Sequence, residues 1–67
     1  MAVAKVSEIS STSTKSFEDA IQQGIARAGK TLRHIKGAWV NEIKVVTGPD
    51  GQVQEWRVNL RISFIVD

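Results

Sequence analysis

A chain of 67 residues makes one domain at most and buries so little of its own surface that its stability alone is marginal and outside help is expected. It has no cysteine, which excludes disulfides and thiolate metal sites and leaves association with other copies, or a ligand, to supply that help. Nine Lys and Arg against seven Asp and Glu give a formal net charge of +2, too small an excess to argue for nucleic acid. No apolar run is long enough to span a bilayer or serve as a signal peptide, so the chain is expected to be soluble, cytoplasmic and without a membrane partner.

The segment from Val3 to Ser10, VAKVSEIS, is rich in β-branched residues and loosely alternating, which predicts a first strand. A Ser/Thr cluster follows and supplies helix caps. Ser13 or Ser16 can accept a bond from a first-turn amide, and Ser16 with Asp19 approximates a capping box. Phe17, Ala20, Ile21, Ile25, Ala28, Leu32 and Ile35 then recur at three-and-four spacing, predicting one amphipathic helix of about five turns that ends at Gly37. On this reading Arg27, Lys30 and Arg33 form a basic ridge, and His34 lies on the last helical turn as a solvated residue. Gly24 and Gly29 weaken that helix, so close approach to a strand or a neighbouring copy is expected there.

From Ala38 to Val46 the chain alternates again, with Trp39, Asn41, Ile43 and Val45 expected on one face and Ala38, Val40, Glu42, Lys44 and Val46 on the other. TGPDGQ is a turn between two alternating runs and predicts a hairpin. The last strand, from about Gln54 to Asp67, sends Trp56, Val58, Leu60, Ile62, Phe64 and Val66 one way and Glu55, Arg57, Asn59, Arg61 and Ser63 the other. The result is a single α+β domain of order β-α-β-β, residues 1–67, with a three-stranded antiparallel sheet on one helix. The last strand spans roughly 45 Å, more than one helix covers, and three strands leave exposed edges and a second face. Copies of the chain are therefore expected to cover one another, with Trp39 on that second face.

The stretches STS, FEDAIQQGIARAGKTLRHIKGAWVNEI and EWRVNLRISF resemble the dodecins, the most specific part being Ala20 to Arg33. The resemblance implies a hollow homo-dodecamer that stores flavins, riboflavin or FMN, by aromatic stacking. In flavin-binding members the stacking tryptophan occupies the position of Gly37, and Trp39 replaces a glutamate two residues on. The glutamine that hydrogen-bonds the isoalloxazine edge corresponds to Arg57. Strand residues two apart share a face, so Trp39 presents an indole to the same cavity from a displaced position. Trp39 is thus the expected stacking residue, Arg57 its polar partner, and Gly37, Asn41 and Gln54 the expected walls. The alternative is a flavin-free shell in which Trp39 and Arg57 pack between subunits and the cavity holds ions. Glu8, Glu18, Glu42 and Glu55 are the carboxylates that symmetry can multiply into a ring, and spacing singles out none of them. With no thiol, no second histidine and no paired-carboxylate motif, the chain is not expected to be an enzyme.

Overall fold

The computed structural model describes residues 3–66. The elements are β1 (Val3–Ser13), α1 (Phe17–Ala28), β2 (Ile35–Thr47) and β3 (Val53–Val66). The expected order and class hold: one three-stranded antiparallel sheet, ordered β1-β3-β2, carries one helix. β3 suits the central position because from Glu55 to Phe64 its even-numbered residues are apolar and its odd-numbered ones polar, so one face can be buried. Val58, Leu60 and Ile62 are buried with Ala20 and Ala28 of the helix, and Phe17, Ile21 and Ile25 pack around them.

The helix begins where the serine cluster predicts. Ser16 is the N-cap, its hydroxyl accepting from the Asp19 amide at 3.0 Å. Asp19 in turn accepts from Ser13 and from the Gln23 amide at 2.5 and 2.6 Å. Gly24 is buried against β1, and a β-carbon there would stand 3.0 Å from Ser11 Cβ and 3.1 Å from Leu60 Cδ1. The close approach expected at Gly24 is therefore present.

The helix ends earlier than its spacing predicts. It stops at Ala28 after 12 residues, with Gly29 at the C-cap donating to the Ile25 carbonyl at 2.9 Å. The amides of Thr31 and Leu32 then both donate to the Ala28 carbonyl, at 3.1 and 2.8 Å. Leu32 and Ile35 still pack on the core, but from the turn and from β2. His34 is not helical: it adopts a positive φ of 57° and turns the chain into β2, leaving Gly37 as a strand residue. The basic ridge is correspondingly broken up, since only Arg27 lies in α1 while Lys30 and Arg33 lie in the turn. β1 runs three residues further than expected, to Ser13, and Asp67, the expected end of the last strand, lies outside the described residues.

The molecule measures 53 × 19 × 14 Å, whereas a 12-residue helix is about 18 Å long. α1 lies over β1 and β3 and leaves part of β2 bare on the same side. Val40, Ile43 and Val45, opposite the core-facing Leu60, Val58 and Trp56, remain 43, 59 and 40 % exposed. This corrects the expected facing of β2. A register shift between Val40 and Glu42 inserts Asn41 as an extra residue, so Ile43 and Val45 turn to the helix side, while Trp39 stays on the far side.

Candidate functional site

The sheet face away from α1 is built around the polar positions of β3. Across from Ser63, Arg61, Asn59 and Arg57 stand Gly37, Trp39, Glu42 and Lys44 of β2, and Val6, Glu8, Ser10 and Thr12 of β1. Trp39 reaches this face because Ala38 and Val40, on either side of it, point toward Ile62 and Leu60 in the core. Its indole is 60 % exposed, so nothing in one copy of the chain covers it.

Trp39 stands directly opposite Arg61, and Arg61 is flanked on its other side by Glu8. Together with Val6, Val40 and Asn41 these residues line a depression of about 650 Å³. Asn59 ties its floor together. The side-chain amide of Asn59 donates to Asn41 Oδ1 at 3.1 Å and to the Glu8 carboxylate, linking all three strands through one residue. Asn41, the extra residue of the bulge, stays within reach of Asn59 although Glu42 takes the paired position. Among the described residues the guanidinium of Arg61 has neither a hydrogen-bond nor an ion-pair partner.

The expected site residues are distributed along this face and not all gathered. Gly37 lies beside Trp39, and its carbonyl accepts from the Ser63 hydroxyl at 3.4 Å. A β-carbon on Gly37 would meet nothing within 4 Å, so the space where a larger side chain would project is open. Asn41 lines the depression itself. Arg57, in contrast, is four residues from Arg61 along β3, about 13 Å at ~3.3 Å per residue. Its guanidinium donates to Glu55 Oε1 at 3.1 Å, and it pairs across the sheet with Lys44 and Thr12. Gln54 is farther still, at the hairpin end, with its side-chain amide over Gly48. Trp39 and Arg57 of one chain are thus offset by about 13 Å along the strand direction. Arg61 is the cation beside the indole: the register shifts at Val46/Thr47 and Val40/Glu42 offset each other, so Trp39 pairs where an unbroken hairpin from Thr47 and Val53 would put it.

Of the four carboxylates that symmetry can multiply into a ring, Glu8 is bonded to Asn59, Glu55 to Arg57, Glu42 is exposed opposite Asn59, and Glu18 lies in the first turn of α1. Among the described residues no three of His, Cys, Asp and Glu lie close enough together to hold a metal ion. No helix among them is long and apolar enough to cross a membrane.

Comparison with known proteins places this geometry in a family. The family model described as Dodecin matches residues 3–67. A curated dodecin of Thermus thermophilus is 44 % identical over 62 residues, covering 92 % of this chain and 88 % of its own. A crystal structure of a Thermus thermophilus protein superimposes with a TM-score of 0.92 at 40 % identity, covering 100 % of this chain and 97 % of the other. The calcium dodecin of Mycobacterium tuberculosis, described as calcium-chelating with a novel calcium-binding site, superimposes with a TM-score of 0.83 at 31 % identity, covering 97 % of this chain and 91 % of its own.

Proposed function

This chain belongs to the dodecin family, and from that premise we propose that it assembles into a hollow homo-dodecamer that binds and stores a flavin-type cofactor, riboflavin or FMN, stacked on Trp39. The observation that carries the reading is the 60 % exposed indole of Trp39 set beside the open space at Gly37. A large aromatic ring left in water beside a vacant strand position is a stacking surface without a partner, and a planar ligand gains both apolar burial and ring contact from it. Arg57 is assigned to the ligand from a second copy, since about 13 Å along the strand direction separates it from the row of Trp39 and Arg61 within one chain. The role is binding and not catalysis, and it is performed in the cytoplasm.

Assembly is supported by the strip of Val40, Ile43 and Val45, exposed on the helix side of β2 where α1 does not reach. Removing a branched aliphatic side chain fully from water is worth roughly 1.5–3 kcal/mol, and a closed shell repeats that gain at every copy. Titrating the protein with riboflavin and with FMN while following flavin fluorescence tests the ligand. Quenching that saturates at one flavin or fewer per chain is the expected result, and unchanged fluorescence at tens of micromolar protein removes the flavin reading.

The same strip favours a second reading, a flavin-free shell in which Trp39 is buried between copies and carboxylates gathered by symmetry hold an ion. The calcium-chelating relative makes calcium the ion to test. A colourless assembly that binds calcium and leaves riboflavin fluorescence unchanged is the outcome this reading predicts.

A further inference from the structure

We infer that Glu8 and Arg61 read the edge of the ligand stacked on Trp39, and that this edge is of the imide type, an N–H donor between two carbonyl acceptors. The inference rests on the flavin-type reading of Trp39 and assigns the residues of this chain that select the ring. Trp39, Arg61 and Glu8 form one row across β2, β3 and β1, two strand spacings or about 10 Å long. That is the scale of a fused three-ring system lying along the row. A ring in contact with the indole extends its far edge over Arg61 toward Glu8.

The chemistry of the edge follows from what these two side chains lack. Glu8 and Arg61 are direct cross-strand neighbours of opposite charge, yet they form no ion pair. Asn59 accounts for this, because its amide takes the Glu8 carboxylate while also holding Asn41. One carboxylate oxygen is thereby anchored, and the other, with the donors of Arg61, is left to face the depression. The local charge sums to zero. An anionic ligand gains from Arg61 and loses to Glu8, and a cationic one does the reverse. A neutral edge that offers carbonyl oxygens to Arg61 and an N–H to Glu8 satisfies both with charge-assisted bonds. A phosphate is not needed for this recognition.

Lumiflavin, which has the ring system without ribityl chain or phosphate, and its N3-methyl derivative test the assignment on the intact assembly. Methylation removes the N–H donor and is expected to weaken binding at least tenfold. In Glu8→Gln the amide oxygen stays with Asn59 and the NH2 group turns to the ligand, donor against donor. Lumiflavin is then expected to bind at least tenfold more weakly, while methylation costs nothing further. Arg61→Met should weaken both ligands alike, with light scattering confirming that each variant remains assembled. If lumiflavin binds but its N3-methyl derivative binds equally well, or if the methylation penalty persists in Glu8→Gln, the assignment is wrong and the flavin reading survives. If lumiflavin does not bind the unmodified protein, the flavin reading fails and the assignment with it.

Discussion

Trp39 and Arg61 face each other directly across β2 and β3, on the side of the sheet turned away from α1. The pairing places an exposed indole next to a cation that has no partner among the described residues, so replacing the indole should cost ligand and not fold. Trp39→Ala is expected to abolish saturable quenching of riboflavin, a loss of at least tenfold in affinity, while far-ultraviolet circular dichroism stays unchanged. Since stacking contributes about 0.5–1.5 kcal/mol beyond area burial, Trp39→Phe should retain part of the affinity. If Trp39→Ala instead leaves affinity intact and reduces the assembly to smaller species, the indole serves packing.

Ile43 is 59 % exposed on the helix side of β2, where α1 does not reach. Ile43→Asp is therefore close to neutral for a single copy but puts a charge into any contact that covers the strip. Sedimentation velocity should show the variant as smaller species at concentrations where the unmodified chain is fully assembled. Retention of full size would place the strip outside the interface.

Gly24→Ala sets two effects against each other. Alanine gains up to about 1 kcal/mol in intrinsic helix stability, but its β-carbon would lie 3.0 Å from Ser11 Cβ and 3.1 Å from Leu60 Cδ1. Ser11 belongs to a strand paired along its whole length and cannot recede without moving β1. Overpacking of this kind typically costs 1–3 kcal/mol, so a net loss is expected, read as a lower urea midpoint at equal chain concentration.

Ser16→Ala removes the acceptor of the Asp19 amide. A loss of about 1 kcal/mol is expected, and Ser16→Asp should restore most of it. Because assembly couples stability to concentration, the three proteins must be compared at the same one.

The parts of this fold that local physics controls were readable in the sequence. Ser16 caps the helix because its oxygen is three residues from an orphan amide, the hairpin forms at Pro49 and Asp50, and β3 alternates because one of its faces is buried. The helix end was misread because Leu32 and Ile35 keep helical spacing while reaching the same core by another route. Any chain path that returns residues to one core mimics that period, and Gly29 was the earlier stop. Ile43 and Val45 depart from the facing that the alternation predicts because the bulge at Asn41 shifts it by one, and no local pattern in β2 marks a bulge there. Arg61 falls beside Trp39 because two opposite register shifts, at Val46/Thr47 and Val40/Glu42, cancel between the turn and the indole. The partnership of Glu8 with Arg61 was not countable, because the helix intervenes between β1 and β3 and no turn fixes their register.

This chain exposes more apolar sheet than its one helix covers, and copies of it are expected to close over the remainder. Light scattering on the purified protein tests this most directly. The account predicts a single species of roughly 89 kDa, twelve copies of the 7.4 kDa chain. A folded 7.4 kDa monomer, stable at tens of micromolar in neutral buffer, would contradict it.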